Sequence, residues 1–392
     1  MSDKIKELAF QIESDIINIR RQIHKNPELA LHEFETAKLV SKKLNELGFE
    51  VTENVGITGV VGLLRGKGPG RTVAIRADMD ALPIQEQTDL EFRSVNDNVM
   101  HACGHDAHTA ILLGAATILS KIKDSIKGNV KFIFQPSEES GIGGATEMIE
   151  EGVLENPKVD SVLGLHVSSL IPWGKIGYRE GAINSSAAGF EIEIIGKGGH
   201  GSAPHEAIDA IIIASEVVQA LQTISSSKID PRETFVLTVG TINGGCAANV
   251  IADRVSLTGT IRYFNPEIIS KVGDIFGNII KYITAAYGAT YNFKFRPGIG
   301  SVINDSKTVN IVANAAIEIV GVQNVLIVPQ SLGSEDFAAF ALRVPSAFIN
   351  LGVGFDNKEN YPGHHPKFDI DEKALPIGAA VLANSAIKFL NN

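Results

Sequence analysis

Several features that would settle a fold or function class are scarce or missing. Cysteine occurs only as Cys103 and Cys246 in 392 residues, which rules out a disulfide framework and suits a reducing compartment. No apolar run stands out as reaching the ~18–20 residues that span a bilayer. The start, Met1-Ser-Asp-Lys-Ile-Lys-Glu7, has neither the apolar centre nor the cleavage site of a signal peptide. A cytoplasmic protein with no membrane partner is therefore expected. Basic charge is not in excess: 35 Lys and Arg stand against 45 Asp and Glu, for a net charge of −10. That argues against a nucleic-acid partner, which needs clustered cations. Phosphate cradles are also lacking. Gly196-Lys-Gly-Gly-His-Gly-Ser-Ala-Pro204 is not G-x-G-x-x-G, and Gly66-Lys-Gly-Pro-Gly-Arg71 has no Gly-Lys-Ser/Thr. An NAD-dependent dehydrogenase thus loses its main support. No repeat or low-complexity segment is visible.

What is present is ordinary for a globular enzyme, with 44 % hydrophobic and 20 % charged residues. At ~100–200 residues per domain the length predicts two domains. Ile5, Leu8, Ile12, Ile16, Ile19 and Ile23 recur every three or four positions and predict one helix with a single apolar face. A second helix is expected from Phe34 to Leu47, with Gly48 stopping it. Strands and helices then alternate. Strands are expected at Val73–Ala77, Val130–Phe134, Ser161–Leu165, Val325–Val328 and Ala347–Leu351, and helices at His108–Leu119, Gly144–Glu151 and Leu375–Phe389. Alternation of this kind predicts an α/β layer with a mostly parallel sheet.

The middle has a different rhythm. Phe190–Ile194 alternates apolar and charged, as a strand with one wet face does. A helix from Glu206 to Ser225, strands at Thr234–Val239 and Arg254–Arg262, a helix from Pro266 to Ala286 and a strand at Tyr291–Phe295 complete a β-α-β-β-α-β order. That is the ferredoxin-like unit. Residues 186–297 are therefore expected to form a small α+β domain inserted into a larger one made of 1–185 and 298–392.

The densest chemical signal is Met100-His-Ala-Cys-Gly-His-Asp-Ala-His108. Imidazole and thiolate are natural ligands for zinc and neighbouring transition metals. One histidine alone would be an ordinary core residue; three with a Cys and an Asp point to metal. Cys103 and His105 are two apart, which suits a turn eased by Gly104 better than a helix. Gln135-Pro-Ser-Glu-Glu139 follows a strand, and ligands in open α/β sheets gather at strand carboxyl ends. Of two adjacent carboxylates there, one can hold metal while the other acts as general base. A solvated acidic turn is the plainer explanation for such a pair taken alone. Arg76-Ala-Asp-Met-Asp-Ala-Leu-Pro83 offers Asp78 and Asp80 at another strand end, to coordinate metal or to orient a His. His166 and Gly363-His-His-Pro366 add imidazoles at two further ends. Four strand ends with donors at one sheet edge are not expected of unrelated loops. His200, on its glycine-rich turn, is either a plain hairpin residue or a mobile donor to a carbonyl oxygen.

With these motifs in place the sequence resembles the aminoacylase/carboxypeptidase superfamily of metallopeptidases. It looks closest to the branch of hippurate hydrolases, auxin-conjugate hydrolases and N-acetyldiaminopimelate deacetylases. The resemblance runs from Arg20-Arg-Gln-Ile-His-Lys-Asn-Pro-Glu-Leu29 to His364-His-Pro-Lys-Phe-Asp369, and Met-His-Ala-Cys-Gly-His-Asp-Ala-His is its most specific motif. It implies two divalent metal ions (zinc, manganese, cobalt or nickel) held by Cys103, His105, Glu139, His166 and His364, the last chosen over His365. It implies Glu138 as general base and Asp80 as the carboxylate beside the site. Asp78 stands where related branches carry a His ligand. The insert becomes a lid and dimerisation domain. His200 would stabilise charge on the substrate carbonyl, in its own or a partner's site. Asn249 and Arg262 would hold substrate polar groups, and Gly333-Ser-Glu-Asp-Phe337 would line the site. Ala252 departs from the family's usual Pro, which removes stiffness after Asn249.

The implied reaction is metal-assisted hydrolysis of the amide bond in a small N-acyl amino acid, by a homo-oligomer (dimer or tetramer). A metallocarboxypeptidase acting on short peptides is the alternative, and a silent binding protein on the same scaffold the third reading.

Overall fold

The computed structural model describes residues 1–141 and 144–392. The chain forms two compact units. The larger holds Met1–Ile183, Val302–Pro329 and Asp336–Asn392, and the smaller holds Asn184–Ser301 and Gln330–Glu335. The divisions lie within a few residues of 186 and 297, but residues 330–335 join the smaller unit, against the expectation that everything after 298 belongs to the larger. The crossing is made by backbone bonds: Ser185 N–H donates towards the carbonyls of Ser331 and Gly333.

The larger unit opens with α1 (Ser2–Gln11) and α2 (Glu13–Lys25). The single helix expected over Ile5–Ile23 is thus broken at Ile12, whose backbone leaves helical geometry. The apolar spacing runs through the break because Ile5, Leu8, Ile12 and Ile16 all pack into one core. Then follow α3 (Phe34–Glu46), β1 (Glu50–Val55), β2 (Gly59–Arg65), β3 (Thr72–Asp78), α4 (His105–Lys121), β4 (Asn129–Gln135), α5 (Ala145–Glu150), β5 (Ser161–Pro172), β6 (Ile176–Tyr178) and β7 (Gly181–Asn184).

The smaller unit contains β8 (Ser186–Ile195), β9 (Gly199–His200), α6 (Ala210–Ser227), β10 (Phe235–Gly244), β11 (Val250–Ile251), β12 (Arg254–Tyr263), α7 (Pro266–Ala286) and β13 (Thr290–Arg296). Helix α6 begins four residues later than expected. Pro204–Glu206 make a tight turn instead, and the Asp209 side chain caps the amides of Ile211 and Ile212. The sheet order β10-β12-β8-β13 is antiparallel throughout, which is the ferredoxin-like order. Strand β8 alternates buried and half-exposed residues along its length. Its buried set, Ala188, Phe190, Ile192 and Ile194, packs with Ile213, Val217 and Leu221 of α6 and Val272, Phe276 and Ile280 of α7.

The chain returns to the larger unit with β14 (Val302–Asn304), α8 (Ser306–Val320), β15 (Val325–Ile327), α9 (Ala338–Ala341), β16 (Ser346–Gly354) and α10 (Leu375–Asn391). Its main sheet runs β1-β2-β4-β3-β5-β16-β6-β15. The central four, β4, β3, β5 and β16, are parallel, while β1 and β2 add antiparallel strands that the sequence reading did not anticipate. Every residue of β3 is buried, as expected of a strand covered on both faces. One face carries α4 and α10 with α1, α2 and α8; the other carries α5 and α9, with Met148, Phe337 and Phe340 packed on Ala74, Ile133 and Val162. Together with the turn before it, α10 is long and apolar enough to cross a membrane, which the search for apolar runs passed over, but most of it is buried in this core.

Candidate metal centre

The four parallel strands aim their carboxyl ends at one edge. Arg76 lies opposite Ile133 on one side and Gly164 on the other, and Asp78 opposite Gln135. Asp78, Gln135 and His166 therefore leave the sheet at about the same level. The turn between β3 and α4 brings in Cys103 and His105. Gly104 makes it possible: its φ is +88, and a Cβ there would lie 2.4 Å from Val167 Cγ2, a region and a clearance that only glycine satisfies.

Three imidazoles contribute to neighbouring donor groups that share Cys103. His105 Nδ1–H donates to the Asp80 carbonyl at 2.8 Å. His166 Nδ1–H donates to the Val167 carbonyl at 2.7 Å. In each ring this leaves Nε2 as the electron-pair donor, an orientation that outer hydrogen bonds impose on metal-ligating histidines. His166 Nε2 is 3.3 Å from Cys103 Sγ. His364, in the left-handed region at φ 66, has its N–H bonded to the Ala102 carbonyl and its Nε2 3.1 Å from Glu139 Oε1. His365 turns away: it stacks on Tyr361, and its Nδ1 accepts from Lys367 N–H.

Donor atoms of Cys103, His105 and His166 lie within 4.8 Å of one another, as do those of Cys103, Glu139 and His364 and those of His105, Glu138 and Glu139. His105 Nε2 and Glu139 Oε1 are buried without a hydrogen-bond partner, although Glu139 Oε1 stands close to two imidazole nitrogens. Buried polar atoms are nearly always bonded. Orphaned nitrogen and oxygen donors facing a thiol fit a cation between them. Burial pushes the Cys103 thiol up against the pull of His105, and a bound cation would favour its thiolate form. The Glu139 carboxyl is also opposed by burial, yet contact with His364 and the field of His105 hold it below the usual range.

Asp80 serves as a scaffold. Its two carboxylate oxygens accept the backbone N–H groups of Glu138 and Glu139, each at 3.0 Å. Asp78 has both oxygens engaged elsewhere, with Arg76 Nη1 and with His108 Nδ1, each at 2.6 Å. Burial opposes its charge, but His105, His108 and Arg76 hold its carboxyl well below the ordinary carboxylate value. The dense motif splits into two jobs. Cys103 and His105 face the other donors. His108 accepts Val167 N–H on Nε2, and Asp106 binds Arg20 Nε at 2.7 Å and His24 Nδ1 at 2.8 Å beneath α2.

Sequence reasoning missed Asp336, Arg76, Gln135 and Glu33. Asp336 accepts from Arg76, from Gln135 and from the Ala145 N–H, and its own N–H donates towards Glu138 Oε1 at 3.4 Å. It lies in the Gly333–Phe337 motif, which was the available signal. Arg76 and Gln135 sit within the two strand-end motifs, but no spacing rule announces a buried guanidinium bridging them.

The remaining expected residues lie in the smaller unit. His200 pairs with Val250 and is exposed, with Nδ1 accepting from the N–H and the hydroxyl of Ser202. A neutral ring then carries its proton on Nε2. Asn249 neighbours it, its carbonyl accepting Gly201 N–H at 2.8 Å. Arg262 is on β12, and the Gly333 carbonyl accepts from Ser185 N–H.

Residues 74–388 match the sequence pattern of peptidase family M20/M25/M40. The chain belongs to that family. It is accordingly a metal-dependent hydrolase. Among its relatives is Thermostable carboxypeptidase 2 of Saccharolobus solfataricus, 44 % identical over 99 % of both chains. N-acetyl-L-cysteine deacetylase of Bacillus subtilis is 40 % identical over 97 % of this chain and 89 % of its own. Among solved structures, the Bacillus subtilis YXEP protein, described as a dinuclear metal binding peptidase from the M20 family, superimposes with a TM-score of 0.84 and 36 % identity, covering 97 % of this chain and 99 % of its own. The likeness covers residues of both units, and this M20 member shares its relatives' large mostly parallel sheet.

Proposed function

We propose that this chain is an amidohydrolase that splits the amide bond of small N-acyl amino acids at a pair of divalent cations, in a reducing cytoplasm. The observation that carries the reading is the convergence of Cys103, His105, Glu139, His166 and His364, with unpartnered donor atoms, around a space beside Glu138. Zinc, manganese, cobalt and nickel all suit such a mixed set. When bound, the ions supply Lewis-acid activation of water and of the scissile carbonyl. Glu138 takes the water's proton on its carboxylate and delivers it to the leaving nitrogen, so that a carboxylate and an amine are released. His200 donates its Nε2–H to the carbonyl oxygen as negative charge grows there; the Ser202 bonds to Nδ1 support that tautomer. Arg262 and Asn249 hold the amino acid's carboxylate and amide, and the Gly333 loop lines the same pocket.

The smaller unit acts as lid and as the contact of a homodimer or tetramer. In support, Ile211, Ile212, Val236 and Ile242 are exposed at the start of α6 and along β10, which ends its sheet, and an open edge of that kind invites pairing.

A second reading is favoured by the identity to the Saccharolobus carboxypeptidase: short peptides with a free C-terminus present the same amide beside the same carboxylate. The test is a panel of N-acetyl amino acids, N-benzoyl amino acids and dipeptides, run on enzyme reconstituted separately with each of the four metals. Turnover of N-acyl amino acids well above dipeptides is expected. A preference for dipeptides would move the assignment to carboxypeptidase, and no turnover with metal bound would leave a binding protein.

A further inference from the structure

The turn that carries Glu138 and Glu139 into the centre passes through a residue in an uncommon conformation. Ser137 is buried at φ 57, in the left-handed region that L residues other than Asn, Asp and His seldom enter without support. Three successive backbone N–H groups of this turn are each claimed by a buried carboxylate. Those of Glu138 and Glu139 go to Asp80. That of Ser137 goes to Glu33 Oε1 at 2.9 Å. Glu33 is fully buried, and its other oxygen accepts the Thr58 hydroxyl at 2.6 Å. Glu33 immediately precedes α3 and Thr58 lies between β1 and β2, so the pair ties the turn to a part of the fold remote in sequence. Among the described residues, no group that could hold a cation together with Cys103, His105 or Glu139 includes Glu33.

We propose that Glu33 is a positioning residue: it holds Ser137 in the left-handed conformation and thereby fixes the angle at which the carboxylates of Glu138 and Glu139 leave β4. Asp80 holds the amides of the two residues after the bend, the Ser137 hydroxyl meets the Ser140 hydroxyl at 2.6 Å, and Glu33 takes the amide of the bend itself. Without that grip the turn relaxes, Glu139 leaves its place opposite His364 and His105, and Glu138 swings relative to it. The kinetic part of this inference rests on reading Glu138 as the general base; the metal-binding part rests only on Glu139 facing the cation.

Burial raises the Glu33 pKa above its ordinary value, with the Thr58 and Ser137 bonds pulling it back. Gln has the same shape as Glu and offers both an acceptor and a donor at these two contacts. In Glu33→Gln the amide oxygen still accepts Ser137 N–H, while the amide nitrogen donates to the Thr58 oxygen. Glu33→Ala removes both contacts. Thr58→Val removes only the anchor of Glu33.

The test uses the full-length enzyme loaded with zinc, and again with cobalt(II), whose absorption reports ligand geometry including the Cys103 thiolate. Metal affinity is read by chelator competition, and kcat and KM are measured on an N-acetyl amino acid. Changes to groups that orient metal ligands typically cost about 10–100-fold in affinity or activity. Glu33→Ala is expected to lose that much in both metal affinity and kcat, with KM little changed and the cobalt(II) spectrum altered. Glu33→Gln is expected to restore most of both, and Thr58→Val to shift both in the same direction by less. A folded Glu33→Ala enzyme with wild-type metal affinity and spectrum would overturn the proposal, as would equal losses in Glu33→Gln and Glu33→Ala. Should Glu33→Ala not fold, Thr58→Val decides: unchanged metal affinity and kcat in that variant would also sink it. If Glu138→Gln proves fully active, the base assignment fails, while the affinity and spectral readings still judge Glu33.

Discussion

The two units of this enzyme treat polar side chains in opposite ways. In the larger, Arg76, Asp78, Asp80, His105 and His108 are all buried and bonded to one another or to backbone. In the smaller, the expected functional groups His200 and Asn249 are exposed, on short strands and turns, and Arg262 is half-buried on a sheet face. On the proposed function, the difference corresponds to two tasks. Chemistry at a cation needs donors fixed to a fraction of an ångström, which requires rotamers locked by packing and outer hydrogen bonds. Substrate capture needs reachable groups, and reach requires exposure.

If that division is right, substitutions should separate by unit. The largest effect is expected at Glu138. Glu138→Gln should lower kcat by about 10²–10⁴-fold or more, as loss of a positioned base does, with metal content by elemental analysis unchanged. An active Glu138→Gln enzyme would remove the base from the larger unit. Next comes His200. His200→Ala should lower kcat by roughly 10²–10³-fold, the usual cost of an oxyanion donor, with metal content and thermal midpoint untouched. A loss of metal from that variant would break the comparison.

Asp78→Ala should cost stability instead. It takes one of two carboxylates from the buried Arg76 guanidinium, which keeps Asp336, and removes the partner of His108; loss of a partner from a buried charge costs up to about 3–5 kcal/mol. The denaturant midpoint checks this, and a midpoint within error of wild type would show that Asp336 is partner enough for Arg76. Arg262→Ala should raise KM and leave kcat nearly constant. A charge-assisted hydrogen bond is worth about 1.5–3 kcal/mol, roughly a 10–100-fold rise.

The smallest effect concerns pH. Glu318 is held at about 2, below the ordinary 4.5, by hydrogen bonds from Lys388, Ser2 and Asn384. A carboxyl depressed in the folded state stabilises the fold above its unfolded pKa, and that contribution is lost as pH falls through the folded value. Glu318→Gln should therefore remove a little acid sensitivity between about pH 4.5 and 2, seen as a flatter plot of thermal midpoint against pH. Identical slopes for both enzymes would exclude that contribution.

The sequence was legible where local pattern and tertiary demand agree. Residues of β3 and β4 read as buried strands because their neighbours on both faces are apolar. The order of the smaller unit was readable because β8 alternates faithfully. The break at Ile12 was hidden because a kinked pair of helices packing on one core keeps the same apolar spacing as a single helix. Strands β1 and β2 were hidden because they add on the antiparallel side, where nothing in the βα alternation calls for them.

At the site, clusters of scarce residue types announced themselves. Cys103, His105, Glu138 and Glu139 sit in motifs dense enough to notice, and their meeting depends only on strand ends sharing an edge. Which neighbours do other work was not readable: Asp106 and His108 lie in the same motif but turn to Arg20, His24 and Asp78 because α4 begins at His105 and rotates them away. Glu33 gave no signal, since a lone acid before a helix looks like a cap.

The return of Gln330–Glu335 to the smaller unit has a practical bearing on protein engineering. If the smaller unit holds the substrate groups as proposed, substrate preference cannot be swapped between relatives by exchanging one continuous cassette. A graft of 184–301 alone would leave Ser185 N–H without the native Ser331 and Gly333 carbonyls, and its hydroxyl without that of Leu332. A working chimera has to import a six-residue ribbon along with the main block, and a library that varies both together explores combinations that single-segment shuffling never samples.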